Sequence, residues 1–297
     1  MTSPWNASGW VTVSEVDAFL CQGATPGPRV AVTAGVHGDE YEGPSALIEL
    51  ARSIDPRELS GTLALVPVAN PPALVAGTRT SPSDGLNLAR TFPGDHEGSA
   101  TKRLAAGLFD WLREASFAID LHSGGLEYDF VPLAGFLGAT VGENPSFAAA
   151  QRFGLPYLWS LPPTPGVLSH ELGEIGTTVI GCEYGGAGRL AASGVRAYAD
   201  GVRSCLRHWG VLDGQPGPPL GTAVTGDWLL ATARGLFVAE KSLGVRVESG
   251  DLIARIIDVR GDDRQRFHAT SDGVVLGLRS KAFISAGNWG VLIGRNI

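Results

Sequence analysis

The most reactive neighbourhood in the chain is VTAGVHGDEYEG, where His37 and Glu40 stand three residues apart just after a strand-like run. On a turn or a first helical turn, that spacing aims an imidazole and a carboxylate at one point. A second histidine of the same kind, His122 in AIDLHSGG, closes another strand-like run. Zinc commonly takes two histidines and one carboxylate and keeps a position open for water. In an open α/β sheet the ground beyond the carboxyl ends of the strands is where ligands bind. Two such ends on one sheet edge could therefore bring His37, Glu40 and His122 to a shared cation. HxxE alone is common and equally suits a salt-bridged turn, and a lone strand-end histidine is more often structural; the pairing is what points to a metal. His96, His170, His208 and His268 read as surface or packed histidines.

Hydrolysis at such a centre also needs a base and a group that stabilises developing negative charge. VIGCEYGG places Glu183 at a strand end before a glycine turn. A carboxylate buried there could move a proton from water to a leaving amine; in solvent it would be an ordinary strand terminus. The turn-rich stretch GTRTSPSDGLNLARTFPG contributes Arg79 and Arg90. Guanidinium suits an oxyanion or a substrate carboxylate through paired hydrogen bonds, although a loop arginine taken singly is most simply solvated.

The elements that must position these groups alternate. RVAVTAG, TLALVPVAN, SFAIDL and TTVIGCEYGG read as strands. GPSALIELARSI, SATKRLAAGLFDWLREA and Ala191–Trp209 carry apolar residues at helical spacing. This pattern predicts an α/β domain with a largely parallel sheet. Glycine and proline crowd together in GVLDGQPGPPLGT, as in a linker. Beyond it, short strand-like pieces separated by turns predict a small all-β barrel or sandwich. The division expected is a catalytic domain over 1–209, a linker over 210–221 and a small β domain over 222–297.

Composition narrows the function classes. The 297 residues carry a net charge of −7, are 44% hydrophobic and 18% charged, an ordinary folded mixture. A mildly acidic chain with few basic clusters is a poor partner for nucleic acid or an anionic membrane. No run approaches the roughly 18 apolar residues of a bilayer span, and the opening residues lack the pattern of a signal peptide. Three cysteines, far apart and outside any CxxC pattern, fit a reducing cytoplasm and argue against a disulfide scaffold.

Taken in order, GVHGDEYEG, NPPALVAGTR, DGLNLARTFPG, DLHSGG and CEYGG resemble the succinylglutamate desuccinylase/aspartoacylase family, part of the wider zinc carboxypeptidase-like group of metallohydrolases. The likeness covers roughly Arg29 to Trp209. It implies a mixed, largely parallel sheet flanked by helices, and one zinc ion per chain held by His37, Glu40 and His122. It also implies Glu183 as base and then acid, Arg79 as the group that polarises the scissile carbonyl with the metal, and Arg90 as the grip on a substrate carboxylate. The reaction implied is hydrolysis of an amide in an N-acyl amino acid or similar small molecule, and the resemblance points to a homodimer. Cobalt or manganese could also occupy this ligand set. Where the family often has Asn before the arginine, this chain has Ala89; Asn87 could substitute. The C-terminal strands are similar to a biotinyl/lipoyl-type barrel, but the hairpin IDVRGDDRQ has no lysine to carry a cofactor. Two other readings stay open: a carboxypeptidase acting on a peptide or modified peptide end, and a catalytically silent binding protein of the same fold.

Overall fold

The structure is a computed structural model that describes residues 3–138 and 143–297; residues 1, 2 and 139–142 of the expected catalytic span lie outside the described residues. The chain opens with a hairpin, β1 (Gly9–Val13) and β2 (Val16–Gln22), and continues into β3 (Thr25–Ala34), α1 (Glu42–Ser53), β4 (Ser60–Val66), α2 (Pro71–Ala76) and α3 (Ala100–Leu112). Then come β5 (Phe117–His122), β6 (Tyr128–Leu137), α4 (Pro145–Phe153), β7 (Tyr157–Leu161), α5 (Leu168–Glu174), β8 (Thr178–Gly186) and α6 (Ala192–His208). The remainder is β9 (Thr222–Leu230), β10 (Gly235–Ala239), β11 (Arg246–Val247), β12 (Leu252–Ile257), β13 (Asp263–His268), β14 (Gly273–Arg279), β15 (Phe283–Ile284) and β16 (Trp289–Asn296).

Most strands join one mixed sheet in the order β1-β2-β4-β3-β5-β8-β6-β7-β9-β16-β14-β11. Its centre is parallel, as expected: β4, β3, β5 and β8 run the same way. β2 and β6 flank that centre, antiparallel to β4 and β8 respectively.

Alternation along the strands separates two cores. Val30, Val32 and Ala34 of β3 bury against Leu47 and Leu50 of α1, with α4 and α6 completing that layer. Ala31, between them, faces the opposite core beneath α3 and α5. A strand buried on both faces reads as a continuous apolar run, which is why VAVTA shows no polar alternation. Local signals fix the helix ends: Asn144 accepts from the Ser146 and Phe147 amides and Pro145 follows it, opening α4.

The C-terminal residues are not set apart from this sheet. β9 runs parallel to β7, and β14 pairs antiparallel with β6. A second sheet, β13-β12-β10-β15, packs on these strands through a shared apolar core that includes Ile253, Ile256, Phe267, Val275 and Ile293. The segment expected to be a linker is also anchored. Val211 and Leu212 are buried, and the Ser60 amide donates to the Val211 carbonyl at 2.9 Å. The hairpin between β12 and β13 is turned by Asp258 Oδ1, which accepts from the Arg260 and Asp262 amides. Among the described residues, no helix is long and apolar enough to cross a membrane.

Candidate active site

β3 delivers the chain to Gly35, from which Val36 to Tyr41 turn into α1. β5 ends on His122 itself, and β8 carries Glu183 in register beside it. Adjacent register positions on parallel neighbours share a face of the sheet, so these two side chains leave the same side. His37 and Glu40 are each 2% exposed, and burial at this level demands partners for every polar atom.

The partners define an ordered cluster. His37 Nδ1 lies 2.8 Å from Glu40 Oε1 and His122 Nδ1 lies 3.0 Å from Glu40 Oε2. The outer nitrogens are anchored separately. His122 Nε2 is 3.0 Å from Asp120 Oδ2, and His37 Nε2 is 3.0 Å from Asn87 Oδ1. Each outer partner is an oxygen that only accepts, so a proton on Nε2 satisfies that side of each ring. Each Nδ1 faces an oxygen of the Glu40 carboxylate, an approach that either an Nδ1 proton or a shared cation satisfies. His37, Glu40 and His122 offer ligand atoms all within 4.8 Å of one another, close enough to hold one metal ion. Neutral imidazoles fixed by outer acceptors around a carboxylate are the donor set that zinc prefers.

Without an ion the charges of the cluster are strongly coupled. Burial pushes His37 down, only partly offset by Glu40, and Arg79 lowers it further. Burial acts on His122 too, but the flanking Asp120 and Glu40 carboxylates outweigh it and hold the imidazole well above its usual value. Burial would raise Glu40; His37 and His122 overcome that and keep it well below the usual carboxylate range. Glu40 also accepts from Arg79 Nη1 and from the Ser123 amide, both at 3.1 Å.

Glu183 is the opposite kind of carboxyl. Its Oε2 is buried without a hydrogen-bond partner. Burial, with Glu40 nearby, pushes its pKa up to about 8, against opposing pulls from His122 and Arg79. A carboxyl that exchanges its proton near neutrality is suited to general base and acid work.

A cavity of about 280 Å³ opens over the cluster, lined by His37, His122, Arg79, Arg90 and Glu183 among others. Arg90 donates to the neighbouring Ala89 carbonyl at 2.7 Å. Asn87, expected to serve a substrate carboxylate in place of the family's Asn, uses its Oδ1 on His37 and on the Ala89 amide at 2.9 Å.

Sequence reasoning passed over several residues found here. Asp120, two positions before His122 on the same strand face, carried a usable signal: the DLH spacing. Asp120 Oδ1 is itself held by the Thr33 hydroxyl at 2.6 Å. Asp39 accepts from the Leu126 amide at 2.8 Å and so ties down the loop that follows His122. Gly125 in that loop has φ +57°, and a Cβ there would come within 2.4 Å of Asp39 Oδ2. His170, read as a surface or packed histidine, lines the cavity, as do Trp159, Trp228 and Trp289.

Beneath one cavity the mixed α/β sheet thus sets a buried carboxyl of raised pKa near a His-Glu-His cluster that could hold a metal ion. The chain belongs to the succinylglutamate desuccinylase/aspartoacylase family, whose catalytic-domain profile matches residues 26–209. It is 32% identical over 276 residues to the N-alpha-acetyl-L-2,4-diaminobutyric acid deacetylase of Halomonas elongata, covering 88% of this chain and 80% of that protein. The product-bound ectoine utilization protein EutE (DoeB) from Ruegeria pomeroyi superposes with a TM-score of 0.87 at 32% identity, covering 94% of this chain and 88% of that one. A succinylglutamate desuccinylase/aspartoacylase structure from Rhodobacter sphaeroides gives 0.87 at 28% identity, covering 95% and 90%.

Proposed function

We propose that the protein is a zinc-dependent deacylase that hydrolyses the amide of a small N-acyl amino acid or related N-acylated compound. The observation that carries this reading is the convergence of two Nδ1 atoms on the Glu40 carboxylate, with both Nε2 atoms anchored elsewhere. His37, Glu40 and His122 would hold the ion, and the parallel centre that presents them is the arrangement of a zinc carboxypeptidase-like sheet. Zinc bound there supplies a Lewis acid that polarises a carbonyl and acidifies water.

The remaining chemistry belongs to the chain. Glu183 accepts a proton from the attacking water and returns it to the departing amine, a role that suits its raised pKa. Arg79 places a guanidinium where the carbonyl oxygen gains charge. Arg90 pairs with the substrate carboxylate at the cavity wall. Asn87 turns its Oδ1 to His37, so its Nδ2 is the group that would supply the amide donor that Ala89 lacks. A missing hydrogen bond to a charged group is worth about 1.5–3 kcal/mol, enough to alter which acyl-amino acid is preferred.

The deacetylase relative supports an acyl-amino compound as substrate. The cavity of about 280 Å³ over the cluster has room for such a small molecule. The test is elemental analysis of the purified protein joined to a hydrolysis screen over N-acetyl, N-succinyl and other N-acyl amino acids. Stoichiometric zinc and turnover that chelation abolishes are expected. A protein that takes up no divalent ion, or cleaves none of these amides, overturns the reading.

A further inference from the structure

The cavity has two unlike halves. The charged groups gather at its base, where Asp120 is committed to His122 and Glu183 feels Glu40 and His122. Much of the rest is aromatic: Phe130 of β6, Trp159 of β7, Trp228 of β9 and Trp289 of β16. Trp289 lies flat on Trp228, with centroids 4.9 Å apart and planes 12° from parallel. Phe130 meets Trp228 edge-on at 5.7 Å, and Tyr128 leans on Trp228 and Trp289 at 5.5 and 5.8 Å. Gly277 of β14 backs the stack: a Cβ there would approach Phe130 to 3.0 Å and Trp228 to 3.2 Å. The rings therefore fix one another before any ligand arrives.

This half has little to offer a charged group. The one further carboxylate that lines the cavity, Asp227, is 83% exposed and pairs with Arg295 at 3.2 Å. An ammonium here would give up water with no free carboxylate to replace it. What such a wall recognises is flat apolar surface.

Building on the deacylase reading above, we infer that the aromatic wall selects N-acylated amino compounds bearing a planar apolar group, as the acyl portion or as the amino acid side chain. Two strands of the C-terminal segment, β9 and β16, thereby set specificity for chemistry done on β3, β5 and β8.

The test uses the full zinc-loaded chain. kcat/KM is compared for N-acetyl-L-phenylalanine and N-benzoylglycine, which place the ring on opposite sides of the amide, against N-acetyl-L-alanine and N-acetyl-L-2,4-diaminobutyrate. At least one ring-bearing substrate is expected to exceed both controls by about tenfold or more, mainly through KM; the one that does identifies the side of the amide facing the wall. Trp228→Ala should bring that ratio towards one, and Gly277→Ala, which displaces the stack without removing a ring, should lower it part of the way. Equal efficiency for all four substrates, or a preference for the cationic one, overturns the inference. Quenching of tryptophan fluorescence by N-benzoylglycine and by N-acetyl-L-phenylalanine, each against N-acetylglycine, reads the wall without turnover. If no amide is cleaved yet either ring-bearing compound binds at least about tenfold tighter, the deacylase reading fails and the wall stands; equal binding of all three sinks the wall.

Discussion

Asp120 Oδ2 stands 3.0 Å from His122 Nε2, on the far side of the ring from Glu40. It accepts from Nε2 and so orients the ring with Nδ1 towards Glu40. Asp120→Ala is expected to weaken zinc binding by about 10- to 100-fold while the fold persists. Competition with a chromogenic chelator reads the affinity, and circular dichroism reads the fold; unchanged affinity would show that Asp120 only fills space.

Glu183→Gln keeps the side chain's shape and removes its proton exchange. Turnover should fall by about 10²–10⁴-fold, with zinc content retained and KM little altered. Activity near that of the native chain would remove Glu183 from the chemistry.

The same carboxyl imposes a pH dependence on the metal-stripped protein. Its folded pKa of about 8 lies above the ordinary 4.5, so between these values the folded chain retains a proton that the unfolded chain has lost. Stability should then decline as pH rises through that window, by up to about 1.4 kcal/mol per unit, and level off above it. Denaturant titrations from pH 5 to 9 measure the slope. Subtracting the same series for Glu183→Gln isolates this group, and identical slopes would refute the assignment.

The two cavity arginines should separate kinetically. Arg79→Ala, removing the guanidinium 3.1 Å from Glu40 Oε1, is expected to depress kcat strongly. Arg90→Ala should act mainly by raising KM for substrates with a free carboxylate, and should matter little for their amides. Steady-state kinetics on acid and amide substrate pairs decide the matter; equal losses on both would deny Arg90 its carboxylate.

The chain announces some of this and conceals the rest for identifiable reasons. The strand at Arg29–Gly35 and the helix after it carry their periods openly, because one is buried on both faces and the other on one. His37, Glu40 and His122 are legible as a set, because each part follows a strand-like run beside glycines, although none points to a metal alone. The β1–β2 hairpin was not read, although Val16, Ala18 and Leu20 bury against the core while Asp17 is exposed. The Trp228 and Trp289 wall was invisible for a different cause. Each ring sits in a strand with no motif, and they meet only because β9 and β16 pair, placing Trp228 opposite Leu292 and Trp289 opposite Leu230. Asn87 shows a third kind of gap: its place near Arg90 in sequence points to substrate, and only the turn it caps reveals that its oxygen also meets His37.

The splice of β9 onto β7 and of β14 onto β6 has a practical outcome for anyone cutting or recombining this chain. A fragment ending at residue 209 would bare backbone donors and acceptors along two strand flanks and remove one side of the substrate chamber, inviting aggregation in place of a minimal enzyme. Swapping the tail between relatives is correspondingly a graft across a continuous hydrogen-bonded seam. It would succeed only where donor and host agree in strand register.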